Sequence, residues 1–394
     1  MSLSSCEKET LGNEDEPEPE QEGPIIHNLG LQVNSEGVVT LNGEAYKGVG
    51  VNYFDAFYRN IKDGSDESYK EGFRQLKENN IPYLRFTAGA YWPSQWSLYL
   101  NNKEEYFKRL DRFVKSAEDE GIGLIPSLFW TYHTIPDIVK EPVNQWGNSN
   151  SKTIEFMKTY IEEVVTRYSS SPAIWAWEFG NEYNLHIDLP GLDHLPPTWE
   201  SLGCPSFRTA ADKLSSADLT IAINEFSNTI RKFDASRMIT SGNSIPRESA
   251  YHLKMDQSWE YDTMNQYNIS LDNQNPDVLD SYSIHLYPKE DSNRFADSPD
   301  ASIKDIIRVS MEYSVKKKKP LFIGEFGAPL TLGAEEQSIF MEIMEGIEMY
   351  KVPLSCVWVF DLPQQDSDWN ITTTNSRKYM LEEIAKLNDR FKEQ

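Results

Sequence analysis

Two short runs in this sequence carry a glutamate out of an apolar stretch. "IWAWEFGNE" (174–182) ends in Asn181 and Glu182, and "LFIGEFGA" (321–328) carries Glu325. Paired carboxylates facing one cleft are what acetal hydrolysis needs. One must be protonated to donate to the leaving oxygen, and the other ionised to attack or to activate water. Each residue alone has a plainer explanation. A glutamate at a strand end is commonly an ion-pair partner, and a histidine such as His285 is commonly structural. An arginine inside an apolar run, such as Arg85 in "IPYLRFTA", needs a carboxylate or carbonyl wherever it sits. The set is harder to explain that way. Arg85, Asn181-Glu182, His285, Tyr287, Glu325 and Trp358 fall at or near the ends of successive apolar runs, and Trp130 and His133 lie at or just past the end of another.

The elements that must position these residues follow from periodicity. Eight short apolar runs recur along the chain, at 46–54, 81–88, 123–130, 174–182, 237–244, 281–288, 321–328 and 354–362. Between most of them lie segments with apolar residues at the helical spacing of three and four, such as Phe107, Leu110, Phe113 and Val114. Strands apolar on both faces and separated by helices mean a parallel sheet covered by helices, and eight units predict an α/β fold of the (β/α)8 barrel type. The rival is a doubly wound open sheet, which usually carries a glycine-rich phosphate turn after its first strand. Gly48 and Gly50 precede the strand end and lack a third glycine, so they read as packing glycines. Upstream, "LQVNSEGVVTLNGEAY" reads as a short hairpin with turns at Ser35–Gly37 and Asn42–Gly43. The stretches 186–211 and 245–280 read as long rim insertions, the second with a helix. In a barrel, all the residues named above converge on one rim.

Composition narrows the function. The 394 residues include 10 Trp and 20 Tyr, which suits a site that stacks flat sugar faces. A net charge of −24 repels phosphate backbones, so no nucleic-acid partner is expected. Three cysteines make no disulfide framework, and no metal-ligand motif or cofactor is implied. A cofactor-dependent barrel lyase would want a lysine at a strand end, and none of the eight runs ends in one. Residues 1–24 are acidic and nearly free of apolar side chains, which predicts a disordered tether ahead of one domain over 25–394.

With these residues in view, the chain resembles glycoside hydrolase family 5 of clan A, the cellulase and β-mannanase family. "WEFGNE" resembles that family's acid/base strand and "IGEFG" its nucleophile strand, and the similarity spans about residues 31–390. The resemblance implies a retaining endo-β-glycosidase acting on β-mannan or β-glucan, with an exo-acting enzyme or a non-catalytic glycan-binding barrel as alternatives. It implies Glu182 as general acid/base, Glu325 as nucleophile, and Asn181 holding the sugar 2-hydroxyl. Tyr287 and Arg85 would support Glu325, His285 would line the subsite and orient Glu182 or the substrate, and Trp358 would lie under the reacting sugar. Retention would set the carboxyls about 5–5.5 Å apart. A cation beside Glu325 should depress its pKa, and a more apolar setting should raise that of Glu182. The family often has a histidine where this chain has Phe129-Trp130, so either His133 serves from the loop or Trp130 offers a stacking face instead. Trp92, Trp96, Trp146 and Trp369 join Trp130 as loop aromatics, about half of them expected to be plain packing. "LSSC" (3–6) resembles a bacterial lipobox, and the acidic run after it the surface-export tether of Bacteroidetes lipoproteins. That implies a lipid on Cys6, a membrane tether with any apolar leader already removed, and an extracellular, periplasmic or outer-membrane location. A plain acidic linker is the alternative. A monomer is expected.

Overall fold

The computed structural model describes Met1, residues 29–288 and residues 294–393; the expected tether and Cys6 lie outside them. The first elements are three antiparallel strands, β1 Leu31–Val33, β2 Val39–Leu41 and β3 Glu44–Ala45. Their turns are the predicted ones: Gly37 has φ +75°, and Asn42 and Gly43 both have positive φ, as a two-residue hairpin turn requires.

Eight parallel strands follow, each inside one of the eight apolar runs. They are β4 Gly48–Asn52, β5 Tyr83–Thr87, β6 Gly123–Phe129, β7 Ala176–Gly180, β8 Met238–Thr240, β9 Tyr282–Leu286, β10 Leu321–Phe326 and β11 Leu354–Val357. Their order, β8-β7-β6-β5-β4-β11-β10-β9, is that of a barrel opened at one seam. Side chains and single backbone bonds close the β8/β9 seam. Asp280 N donates to Ile239 O at 3.0 Å, and Ser283 Oγ donates to Asn243 O at 2.9 Å. Asn275 Oδ1 accepts from both Ser241 Oγ and Ser283 N.

The outer helices fall where the three-and-four spacing placed them, for example Lys103–Glu120, Lys152–Tyr168, Ser216–Phe233 and Lys378–Lys392. Local chemistry starts several of them. Ser215 with Asp218, Thr263 with Gln266 and Ser302 with Asp305 form reciprocal capping boxes, each worth about 1 kcal/mol. The 245–280 stretch is less of an insertion than the sequence suggested. It holds a short helix, Ala250–Asp256, and the barrel unit's own outer helix, Met264–Gln274. The 186–211 stretch is a long rim connection with two short 3-10 turns, Glu200–Leu202 and Ala210–Asp212.

Strand alternation separates two interiors. Outward residues such as Val49, Leu84, Trp177 and Ile323 join the large core beneath the helices. Inward residues at the amino ends, Tyr83, Ile125, Met238, Phe322 and Leu354 among them, pack with Leu31 and Val39 of the small sheet. The small sheet therefore packs against the apolar lower end of the barrel. Gly50 is a packing glycine as expected, because a Cβ there would lie 2.4 Å from the Tyr83 carbonyl.

Candidate active site

Toward the carboxyl ends of the strands the inward positions turn polar. Asn52, Arg85, Ser127, Glu178, Ser283 and His285 are all buried there. Arg85 is the hub. Its side chain has no exposure, and its fork is spent on four partners. Nε donates to Glu178 Oε1 at 2.8 Å and Oε2 at 2.9 Å, and Nη1 to Asn52 Oδ1 at 2.9 Å and Glu325 Oε1 at 2.7 Å. Nη2 donates to Asn181 Oδ1 at 2.7 Å, and the guanidinium lies 4.5 Å from the Trp130 ring centroid. Only a planar, permanently charged group serves so many acceptors at once. With its oxygen taken by Arg85, Asn181 keeps its amide N–H groups to offer a ligand.

Glu325 accepts from Arg85 on one oxygen and from Tyr287 Oη at 2.6 Å on the other. Its inward aim is not what strict alternation gives. Phe322 faces in and Ile323 out, so Glu325 would share the outward face of Ile323. The register shifts between Ile323 and Glu325, and that irregularity turns the carboxylate into the cleft. Glu182 lies two residues beyond β7 in the left-handed region, φ +53°, a conformation that costs a non-glycine residue about 1–3 kcal/mol. Its N–H bonds Gly242 O at 2.9 Å, and the Asn181 N–H bonds Trp130 O at 3.0 Å, which pins the turn. Gly242, φ +68°, permits this approach, since a Cβ there would fall 1.9 Å from Gly180 O.

His285 links the two glutamates. Its Nδ1 is 3.0 Å from Glu182 Oε1 and 3.5 Å from Glu325 Oε2. Its Nε2 is buried with no partner among the described residues. A proton there would be an unsatisfied donor, which favours the Nδ1–H tautomer donating to Glu182. One oxygen of Glu182, one of Glu325 and the His285 nitrogen all lie within 4.8 Å of one another.

The electrostatics follow. Burial raises the Glu178 carboxyl above its usual range, against the pull of Arg85. Burial drives Tyr287 well above the usual phenol, and Glu325 adds to it. Burial would also raise Glu182, but the hydrogen bond and charge of His285, with Ser244 and Arg85, outweigh it and leave Glu182 below its ordinary value. The expectation of a raised Glu182 is therefore not met, because His285 donates a hydrogen bond to it.

The remaining expected residues divide. Trp358 lines the cleft, with Nε1 donating to Gln365 Oε1 at 2.9 Å and its ring 6.3 Å from that of Trp130. Trp130 fills the third-strand position; His133 does not. His133 Nδ1 turns to Asp137 Oδ2 at 2.9 Å, and the ring lines a neighbouring cavity. Of the loop tryptophans, Trp92, Trp130 and Trp369 line the cleft, whereas Trp96 and Trp146 are buried packing residues. Asp361, at the end of the eighth run, is taken by Tyr53 and Arg59. Two residues to which the sequence reading gives no role are central: Glu178 and Asn52. The available signal was Arg85 itself, a buried cation that required a buried acid.

Two cavities, of about 640 Å³ and 460 Å³, share Tyr91, Trp92, Trp130, Asn181 and Glu182. The first holds Glu325, Tyr287 and Trp358, and the second holds His133, His186, Trp199 and Arg247. The two cavities adjoin at Glu182. Among the described residues, two groups of side chains have metal-ligand proximity, Glu182–His285–Glu325 and His133–Asp137–Cys204. In each a guanidinium already holds a carboxylate: Arg85 on Glu325, and Arg208 on both oxygens of Asp137.

The fold is that of solved glycoside hydrolase barrels. The endo-1,4-beta-mannanase from Rhizomucor miehei superimposes with a TM-score of 0.65 at 19% identity, covering 93% of this chain and 100% of that one. A glycoside hydrolase family 5 mannosidase from the same organism gives 0.63 at 14% identity, covering 92% and 98%. The family described as Cellulase (glycosyl hydrolase family 5) matches residues 41–359. The chain belongs to glycosyl hydrolase family 5. Among curated relatives, the "Probable mannan endo-1,4-beta-mannosidase A" of Aspergillus niger is 27% identical over 63% of this chain and 61% of its own length. This chain thus spans about three fifths of that relative.

Proposed function

We propose that this protein is a retaining endo-β-glycosidase acting on β-mannan. The observation that carries the reading is the pair of glutamates in one cleft with facing oxygens within 4.8 Å. Oxygens that close favour the roughly 5–5.5 Å carboxyl separation of retaining enzymes over the roughly 6.5–9.5 Å of inverting ones. Glu325, ionised between Arg85 and Tyr287, attacks the anomeric carbon. Glu182 gives its proton to the departing oxygen, then removes one from the water that cleaves the glycosyl ester. The Asn181 amide binds the 2-hydroxyl, and Trp358 stacks on the reacting sugar. His285, donating to Glu182, sets the carboxylate's direction.

Mannan as the backbone is supported by the relatives' names, and endo action by a second cavity that adjoins the first at Glu182 and extends the cleft. A polymeric substrate puts the enzyme outside the cytoplasm. A lipid on Cys6 would then hold it at a membrane surface; a mass shift lost in Cys6→Ala protein tests that. Among the described residues no helix is long and apolar enough to cross a membrane. The deciding experiment is reducing-sugar release from galactomannan, glucomannan, xylan and β-glucans, with Glu325→Gln as blank. Mixed oligosaccharides from mannan by wild type alone are expected. Release from β-glucan only would overturn the sugar, and release of monosaccharide only would overturn endo action.

A further inference from the structure

Glu178 has no task in the two-step chemistry, yet it lies beside its centre. Its side chain is fully buried, and both oxygens accept from Arg85 Nε at 2.8 and 2.9 Å. The same guanidinium gives Nη1 to Glu325 at 2.7 Å. One cation therefore serves two carboxylates. The other groups facing this pair include Glu182, His285, Tyr287, Asn52, Asn181 and Cys356. None of these six is a fixed cation. A neutral glutamine at 178 could accept the same Nε–H bond, so hydrogen bonding alone does not call for a carboxylate here. Charge does.

The charge on Glu325 changes during the proposed reaction. Its oxygen bonds to the anomeric carbon as the glycosidic C–O bond breaks and the Glu182 proton goes to the leaving oxygen. The resulting ester is neutral. Arg85 would then be a buried cation with no hydrogen-bonded counter-ion, a costly state, were it not for Glu178, because the carboxylate that the proton transfer leaves on Glu182 is bonded to His285 instead.

We propose that Glu178 is a positioning residue, the standing counter-ion of Arg85. It draws part of the guanidinium's charge away from Glu325 in the resting enzyme and balances that charge once Glu325 is an ester. This rests on the two-glutamate reading above. Removing the charge at 178 gives Arg85 wholly to Glu325, which weakens the nucleophile, and leaves the guanidinium unbalanced in the intermediate.

The test is Glu178→Gln. The acid limb of the kcat/KM profile is expected to move down by about one pH unit. Labelling of Glu325 by an activated aryl 2-fluoroglycoside, followed by mass spectrometry, is expected to slow about tenfold at neutral pH, with Tm no lower than wild type. Glu178→Asp keeps the charge and should keep the wild-type acid limb while losing rate. A Glu178→Gln enzyme with wild-type acid limb and labelling rate overturns the proposal, as does a loss that tracks only the unfolded fraction. Should the glutamine variant not fold, a displaced acid limb in Glu178→Asp overturns it instead. If wild type is not labelled at Glu325, the two-glutamate reading fails and this inference falls with it; labelled wild type with an unchanged Glu178→Gln sinks this inference alone.

Discussion

The two ends of the barrel are built from the same eight strands and differ in what they turn inward. At the lower end Tyr83, Ile125, Phe322 and Leu354 pack with Leu31 and Val39 of the small sheet. At the upper end Arg85, Glu178 and Glu325 form a buried ion network with two asparagines. The step between the two regimes is short. Tyr83 and Arg85 are two residues apart on β5, and so are Ala176 and Glu178 on β7. One end gains from the removal of apolar surface from water. The other spends stability on desolvated charges that must all stay paired. A division of labour follows: the lower end carries stability, the upper end chemistry.

Substitutions can break or sharpen that contrast. The largest effect on rate is expected from Glu325→Gln. Turnover should fall about 10⁴-fold or more with Tm shifted by less than about 3 °C, since the guanidinium keeps Glu178. Activity assay beside calorimetry checks it, and ordinary activity would remove Glu325 from its role. Glu182→Ala should lose most activity on polysaccharide but recover with azide on an activated aryl glycoside; no rescue in folded protein would count against the acid/base assignment. Arg85→Leu should fail both ways, losing activity and about 3–5 kcal/mol by denaturant titration, because it strands two buried carboxylates. Phe322→Ala at the lower end should cost a similar 3–5 kcal/mol yet leave kcat of the folded fraction unchanged. A matching fall in kcat would show that the two ends are coupled. The smallest effect is on pH. His285 holds Glu182 below its ordinary value, so His285→Ala lets Glu182 keep its proton to higher pH. The basic limb of kcat/KM should move up by about one unit, and a fixed limb would contradict the Glu182–His285 contact.

Much of this is legible in the sequence. All eight strands lie inside runs picked out by apolarity, because a strand buried on both faces has few other ways to be written. Glu182 stands out because it closes its run, and Glu325 because it is the one charged residue in its run. Glu178 shares its run with Glu182, and its partner Arg85 is 93 residues away. The loop tryptophans were equally opaque. Trp92 and Trp96 are four residues apart, yet one lines the cleft and the other is buried beneath it.

By itself the sequence determined the repeating strand–helix plan, the turns of the small sheet and the residue types that reach the carboxyl rim. These are local matters of periodicity, turn chemistry and position along a run. Only the tertiary structure decided which charges neutralise one another, that Trp130 rather than His133 meets Arg85, and that Glu325 faces inward despite its parity on the strand. Those outcomes depend on register and on side chains from distant strands meeting where water is excluded. There the energy of each charge is set by its neighbours in space, and the spacing of residues along the chain carries no record of them.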